Sequence, residues 1–288
     1  MVYLEFVNNF EKAKNRIVSI FPDLNNSNFV EINVGWQNYI VQADDKLIFR
    51  FPRDLEALNS LRIEINLLNT ITKIIPSSMS VPNYIYYDFN NEPFGCYNKL
   101  HGKMYSYDEF IKLEHLEKVN YLRKVRDFLK ILNLVDYSAI NINLFDSKDY
   151  YKKLYSNITK ECYYLFDEKL KKSTDDLFIS FLNDENNNYS PSLIHGDLKL
   201  NHILINETNI GIIDFGNIKL FDPMYDYTWI YGIDKSVLEE FDFTEDEIKR
   251  LNFYSKVVPY YQIIYGVKNK SSEKIKSGFN MIYKDYKK

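Results

Sequence analysis

The chain has 288 residues, of which 45% are apolar, so it is long and apolar enough to bury a sizeable core in two lobes. Its formal net charge of −4 argues against nucleic acid or an anionic membrane as the main partner. Its cysteines, Cys96 and Cys162, lie far apart without a CxxC spacing, which argues against a disulfide framework and a zinc site. The first ten residues lack a basic start with a long apolar core, and no apolar run could span a bilayer, so we expect a cytoplasmic protein.

The first hundred residues predict a small antiparallel sheet with one long helix inserted. Apolar residues recur at helical spacing over 6–20 and again over 55–68. Short β-branched, aromatic or alternating runs predict strands over 29–32, 39–41, 47–51, 84–87 and 94–100. The connection between the first two strands contains Gly35, which is typical of a hairpin turn.

From residue 107 onward the pattern is mostly helical. Apolar stripes predict helices over 116–132, 150–165, 177–182, 227–231, 245–261 and 273–286, with a break or kink at Pro259. Two short apolar runs, 203–205 and 210–213, interrupt the helices and predict a pair of strands joined by a turn. An antiparallel sheet followed by a run of helices indicates an α+β fold.

Two carboxylates flank these short strands. Asp197 follows His195 and Gly196 directly after an apolar run, and Asp214 precedes Phe215 and Gly216. With His202 between them in sequence, the two acids suit metal-assisted phosphoryl transfer. In that reaction one Asp positions the attacking hydroxyl and the other holds magnesium on the nucleotide. The structural alternative is a pair of loop-capping carboxylates with a buried histidine.

These motifs, together with Asp222-Pro223 and Asp226 further on, resemble the aminoglycoside phosphotransferase family. The similarity is greatest to the aminoglycoside 2''-phosphotransferases. The resemblance implies a protein-kinase-like fold with two lobes. The N-lobe would span residues 1–97 and carry the nucleotide-binding sheet, 98–102 would form the hinge, and 103–288 would form a helical C-lobe with the catalytic loop and the acceptor site.

The resemblance also implies roles for the polar residues of the motifs. Asp197 would be the catalytic base that accepts or orients the proton of the acceptor hydroxyl, and Asp214 would hold magnesium against the nucleotide phosphates. His202 stands where the wider family has Asn, so it would be a magnesium ligand or a close partner of one. Magnesium prefers oxygen ligands, which makes the histidine the least usual member of this set.

For the nucleotide, the resemblance implies a loop, a phosphate-binding ion pair and a hinge. Arg50 would replace the usual phosphate-binding Lys, with Glu64 as its partner, because an arginine fork can bind both phosphate and carboxylate. The remaining candidates are Gly35 in the nucleotide loop, Tyr97 as the gatekeeper of the base pocket, and Asn98 and Leu100 in the hinge. Either ATP or GTP could be the phosphoryl donor.

The family phosphorylates polycationic antibiotics, so the implied function is antibiotic resistance by O-phosphorylation of an aminoglycoside. Asp234, Glu239 and Glu240 (with Asp242 beside them) would form an acidic acceptor surface, or simply a solvated helix face. Other acceptors stay open: a macrolide, or an alcohol such as choline or homoserine. A non-catalytic nucleotide-binding pseudokinase is the alternative of a different class. We expect a monomer whose partners are the acceptor and a nucleoside triphosphate, with neither nucleic acid nor membrane.

Overall fold

A computed structural model describes residues 4–32, 37–138, 140, 142, 144–184 and 189–285. The chain forms two compact units, each assembled from separate segments. The first comprises Met1–Leu113, Asn120–Ile142 and His195–Ile218; the second comprises Glu114–Val119, Asn143–Ile194 and Lys219–Lys288. The lobe boundary expected at residues 98–102 stays a prediction.

Strands and helices follow the order expected of an α+β chain. The strands are β1 (Phe29–Ile32), β2 (Asn38–Ala43), β3 (Leu47–Pro52), β4 (Met79–Ser80), β5 (Tyr84–Asp88), β6 (Phe94–Asn98), β7 (Ser192–Ile194), β8 (Ile203–Ile205), β9 (Ile210–Ile212) and β10 (Lys219–Phe221). The helices are α1 (Phe10–Ile20), α2 (Leu55–Ile71), α3 (Tyr107–Phe110), α4 (His115–Asn133), α5 (Ser147–Glu161), α6 (Glu168–Asn183), α7 (Thr228–Asp234), α8 (Glu245–Lys268) and α9 (Ser272–Asp285). The predicted elements are present, and the short α3, β4, β7 and β10 were not predicted.

The first unit contains a five-stranded antiparallel sheet with the order β1-β2-β3-β6-β5. Helix α1 packs Ala13 and Ile17 into a fully buried cluster with Phe49 and Phe51 of β3. Burying such side chains stabilises the fold by about 1.5–3 kcal/mol each. Helix α2 begins where the Asp54 side chain accepts a hydrogen bond from the backbone of the first turn, so the helix follows β3 directly.

A second, three-stranded sheet in the same unit has the order β4-β9-β8. Strands β8 and β9 pair antiparallel, with Ile203 opposite Ile212. An antiparallel pair brings the residue before the first strand close to the residues after the second. Accordingly, the N–H of Ile213 donates to the carbonyl of His202 over 3.0 Å, and the two predicted site residues His202 and Asp214 lie at the same end of the pair.

The second unit is mostly helical, with β7 and β10 paired antiparallel. Asp222 is fully buried and accepts hydrogen bonds from Arg250 and Tyr254 at 2.5 and 2.8 Å, so it joins α8 to the segment after β10. Of the break or kink expected at Pro259, the break was wrong, because α8 continues through this residue to Lys268, and the kink stays a prediction. Proline costs about 3 kcal/mol or more inside a helix, and the buried apolar side chains on both sides of Pro259 offset that cost.

The fold class predicted from the sequence is confirmed: an antiparallel sheet near the N-terminus and a mostly helical C-terminal part. Within the described residues, none of the helices combines the length and apolar character needed to cross a membrane.

Candidate active site

Arg50 and Glu64 form a buried ion pair in the first unit. Arg50 is 4% exposed in the middle of β3, and Glu64 is 1% exposed on the inner face of α2. The guanidinium Nη1 donates to Glu64 Oε1 over 2.5 Å. Burial, the largest single influence, disfavours the charged guanidinium, but Glu64 together with the smaller effects of Tyr84, Asp214 and Tyr97 outweighs burial, so the pKa of Arg50 is raised well above its ordinary value. The structure therefore brings the two residues together, while their role toward a nucleotide stays a prediction.

Tyr84 completes this pair, although no pattern in the sequence distinguishes it from the other tyrosines. Its hydroxyl donates to Glu64 Oε1 over 3.0 Å, so the same carboxylate oxygen accepts from both Tyr84 and Arg50. Burial, followed by the negative charge of Glu64, raises the pKa of Tyr84 well above its ordinary value. The phenol is therefore protonated near neutral pH and acts as a hydrogen-bond donor.

The guanidinium of Arg50 also reaches the carboxylate of Asp214. Nη2 donates to Asp214 Oδ1 over 3.3 Å. The buried Nε of Arg50 has no hydrogen-bond partner among the described residues. A buried donor without a partner is costly, typically about 1–3 kcal/mol, and a bound anion is one way to satisfy it. The arginine thus has capacity for a further acceptor on the side of Asp214.

Asp214 is held in a strained backbone conformation directly after β9. Its φ of 68° lies in the left-handed region, which is uncommon for a residue other than glycine. Gly216 follows in a short 3₁₀ turn, and a Cβ there would lie 2.5 Å from Oε1 at the end of the Gln37 side chain, which would have to move. The pKa of Asp214 is lowered: burial is the largest single influence and would raise it, but Arg50 and the smaller effects of His202, His195 and Lys199 together outweigh burial. Asp214 is therefore an ionised carboxylate in a fixed position.

His202 connects Asp214 with Asp197. Its Nδ1 lies 2.8 Å from the backbone carbonyl of Asp197, and its Nε2 lies 3.4 Å from Asp214 Oδ2. A carbonyl oxygen can only accept, so Nδ1 carries the proton and Nε2 faces the carboxylate. Burial lowers the pKa of His202, with Asp214 opposing, and this favours the neutral ring. A neutral Nε2 and a carboxylate oxygen are then two acceptors that face each other without a proton between them.

This arrangement fits a divalent cation. One ligand atom each from Asp197, His202 and Asp214 lie within 4.8 Å of one another. Two carboxylates suit Mg²⁺, and the Nδ1 hydrogen bond fixes the imidazole so that its free nitrogen points at the cluster. The imidazole nitrogen is the least usual of the three ligands for this ion. The cluster contains the three residues that the sequence analysis selected, and metal binding there stays a prediction.

Two residues near Asp197, His195 and Lys199, make different contacts. His195 is fully buried, donates from Nε2 to the carbonyl of Ile213 over 3.0 Å and packs against Phe215, so it holds the loop in place. Lys199 pairs its ammonium with Asp197 Oδ2 over 2.9 Å, and both side chains are partly exposed. The sequence analysis missed Lys199, although a cation two residues after a candidate base was a visible signal.

The predicted hinge residues lie at the end of β6. Tyr97 is buried, with its ring edge-on to that of Tyr84 at a centroid distance of 5.1 Å. Asn98 is exposed and Leu100 is half-buried. The backbone N–H of Lys99, between them, donates to the carbonyl of Lys46 over 2.7 Å. Gly35 lies outside the described residues, so the predicted nucleotide loop stays a prediction.

The three acceptor candidates lie in the second unit, and their surroundings are less specific. Asp234 caps a 3₁₀ turn and pairs with Lys118 at 3.0 Å. The side chains of Glu239 and Glu240 are exposed, and Glu240 lies 3.4 Å from the exposed His115. A surface groove of about 460 Å³ includes Glu239, and its lining also contains a lysine and several aromatic rings. These residues are consistent with a solvated acidic face as much as with an acceptor site.

Solved structures with the same fold include several antibiotic phosphotransferases. The GDP and kanamycin complex of aminoglycoside 2''-phosphotransferase-IIIa is 22% identical, with a TM-score of 0.86 over 96% of this chain and 99% of that chain. The gentamicin complex of aminoglycoside 2''-phosphotransferase-IIa is 19% identical, with a TM-score of 0.74 over 96% and 97%. A macrolide 2'-phosphotransferase from Brachybacterium faecium is 14% identical, with a TM-score of 0.70 over 94% and 98%. The kinase-like fold is thereby confirmed.

The profile of the phosphotransferase enzyme family matches residues 28–250, from β1 to the first part of α8. The match covers far more than half of the chain and includes every residue of the cluster around Arg50, His202 and Asp214. The family resemblance inferred from the motifs is confirmed: this chain belongs to the phosphotransferase enzyme family.

Proposed function

We propose that this protein transfers the γ-phosphoryl group of ATP or GTP to a hydroxyl of an aminoglycoside in a Mg²⁺-dependent reaction. The position of Asp214 carries the proposal. Its Oδ1 lies 3.3 Å from Arg50, and its Oδ2 lies 3.4 Å from His202. One fixed carboxylate therefore joins a cation suited to nucleotide phosphates and a group of residues suited to a metal ion.

On this proposal Arg50 binds a phosphate oxygen of the nucleotide. The guanidinium is already oriented by Glu64, and its Nε has no partner among the described residues. Arginine recognises phosphate through parallel N–H donors, so Nε and one Nη form a suitable edge. Tyr97, Asn98 and Leu100 would line the base pocket.

Asp197 then acts on the acceptor. Its carboxylate accepts the proton of the acceptor hydroxyl as that oxygen bonds to the γ-phosphorus and the bond from phosphorus to the bridging oxygen breaks. The proton ends on Asp197, and the nucleoside diphosphate leaves. Mg²⁺, when held by Asp214 and His202, would neutralise charge on the phosphates. Asp197 is now paired with Lys199, so the acceptor hydroxyl would share or replace that contact.

The aminoglycoside acceptor is supported by two observations. The similar solved structures include complexes with kanamycin and gentamicin. The exposed Glu239 and Glu240 offer negative charge to a polycation, and attraction of this kind weakens as salt increases. A macrolide is the second candidate, because a macrolide phosphotransferase shares the fold. A choline- or homoserine-type alcohol, and a pseudokinase without phosphoryl transfer, are the remaining alternatives.

A coupled assay of nucleotide turnover tests the proposal. ATP and GTP would each be offered with gentamicin, kanamycin, a macrolide, choline and homoserine, with and without EDTA. We expect aminoglycoside-stimulated turnover that EDTA abolishes and Mg²⁺ restores. Stimulation by only the other acceptors would contradict the aminoglycoside assignment, and turnover with none of them would favour the pseudokinase.

A further inference from the structure

We propose that Tyr84 is a positioning residue for nucleotide binding, which acts by fixing the Glu64 carboxylate that orients Arg50. This inference rests on the proposed function, because it assigns the aligned guanidinium to a nucleotide phosphate. The residues that carry this inference are Arg50, Glu64, Tyr84 and Gly95.

The shortest hydrogen bond of the Arg50 guanidinium goes to one oxygen of Glu64, while its contacts with Asp214 and the Tyr84 hydroxyl are longer, at 3.3 and 3.5 Å. Glu64 Oε1 accepts from Arg50 Nη1 at 2.5 Å and from Tyr84 at 3.0 Å. The Glu64 side chain has three rotatable torsions, and the second donor restricts the position of the carboxylate. Because the guanidinium is planar, fixing Nη1 also fixes the direction in which Nε and Nη2 point. Nε has no hydrogen-bond partner among the described residues, and Nη2 donates to Asp214.

The sheet explains how Tyr84 of the edge strand β5 reaches the Glu64 carboxylate, which lies beside Arg50 of β3. Strand β6 lies between them, and its Gly95 is paired directly with Arg50. The Tyr84 ring crosses over this glycine, where a Cβ would lie only 2.5 Å from its Cε1. The missing side chain therefore opens the path along which the phenol reaches Glu64.

The position of the Tyr84 ring is fixed by burial and by packing against Tyr97. Tyr84 is 7% exposed, and its strand neighbour Tyr97 packs edge-on against it at 5.1 Å. Tyr97 is the residue predicted at the base pocket, so Tyr84 contacts both ends of the proposed nucleotide site. Edge-to-face rings at this distance contribute to a fixed geometry beyond the area they bury.

The test uses Tyr84→Phe, which keeps the ring and removes only the hydroxyl. Binding of Mg²⁺-GDP and Mg²⁺-ADP would be measured by calorimetry, alongside the KM values for nucleotide and acceptor and the free energy of unfolding. We expect the nucleotide Kd and KM to rise about tenfold, as for loss of one hydrogen bond to a charged group, with the acceptor KM unchanged. The matched control is Tyr86→Phe, which removes a hydroxyl from the same strand at a ring packed on Phe94.

A second variant, Gly95→Ala, tests the path across the sheet. Its Cβ would displace the ring, so we expect a similar loss of nucleotide affinity. In the double variant with Tyr84→Phe, Gly95→Ala should raise the nucleotide Kd by less than a further twofold, because the hydroxyl that Gly95→Ala displaces is already absent. Fully additive losses would overturn the inference.

The results also separate this inference from the proposed function. A lower unfolding free energy for Tyr84→Phe with nucleotide Kd and KM within twofold of the wild type would show a structural role only and overturn the inference. Failure of the wild-type protein to bind either nucleotide would overturn the proposed function and, with it, this inference.

Discussion

Two groups of acidic residues in this protein have different surroundings. Asp214 and Glu64, in the first unit, share one arginine, and Glu64 is almost fully buried. Glu239 and Glu240, in the second unit, are exposed on a helical surface. Carboxylates that are buried or fixed against cations have few alternatives to their present geometry, whereas exposed carboxylates contribute little by their arrangement. Chemistry that needs fixed positions should therefore depend on the first group.

The largest effect on stability should come from Glu64. Glu64→Ala would leave the Arg50 guanidinium buried without its main partner, and we expect the free energy of unfolding to fall by about 3–5 kcal/mol. Denaturant unfolding measures this value. The control, Glu239→Ala, should change it by less than about 0.5 kcal/mol, and equal effects of the two changes would contradict the contrast drawn between the groups.

Asp214→Asn should cause the largest loss that is specific to function. Neutralising the carboxylate between Arg50 and His202 removes a fixed charge aimed at the proposed metal and phosphates, and we expect kcat/KM to fall about 10²- to 10³-fold. Steady-state kinetics at saturating Mg²⁺ measure this loss. Asp23→Asn, the same change at an exposed acid between α1 and β1, should reduce kcat/KM by less than twofold, and a comparable reduction in both would contradict the prediction.

His202 should affect metal dependence more than stability. We expect His202→Ala to raise the Mg²⁺ concentration for half-maximal turnover about 10- to 100-fold, because it removes a candidate ligand that is oriented through Nδ1. Titration of EDTA-treated enzyme with Mg²⁺ measures the shift. An unchanged midpoint with reduced kcat would place His202 outside the metal site.

Asp234 should give the smallest effect. Its pKa is lowered, since Ser236 and Lys118 together outweigh partial burial. A depressed folded-state pKa means that the stabilisation is present above the ordinary Asp value of about 3.9 and is lost as the pH falls through the folded value. Asp234→Asn should therefore cost less than about 1 kcal/mol at neutral pH and nothing at strongly acidic pH, measured by unfolding across this range. A constant difference at every pH would contradict the assignment.

Much of the fold could be predicted because its elements carry strong local patterns. The apolar stripe of α2, the apolar run of β3 and the paired strands within the site region were readable in the sequence. The strands β4, β7 and β10 have two or three residues each and lack the isoleucine-rich runs that marked the equally short β8 and β9. The break predicted at Pro259 was wrong because it rested on local helix propensity, whereas α8 is kept continuous by tertiary packing.

The candidate site likewise contains residues that could be predicted from the sequence and residues that could not. Asp197, His202 and Asp214 were readable because the chain places them beside short strands within 18 residues. Tyr84 was not, because its partner Glu64 is 20 residues away and only the sheet order brings the two together. The acceptor residues could be named only by charge, and exposed charge alone does not specify a ligand.

The most direct test of the central claim is a comparison of Asp197→Asn with the wild-type protein in two measurements on the same samples. Phosphoryl transfer to gentamicin or kanamycin would be followed by coupled assay, and Mg²⁺-nucleotide binding would be followed by calorimetry. We predict that kcat falls about 10²- to 10⁴-fold while the nucleotide Kd changes less than threefold, because Asp197 acts on the acceptor hydroxyl. Unchanged turnover in Asp197→Asn would contradict its role as the base and the phosphotransferase site built around it.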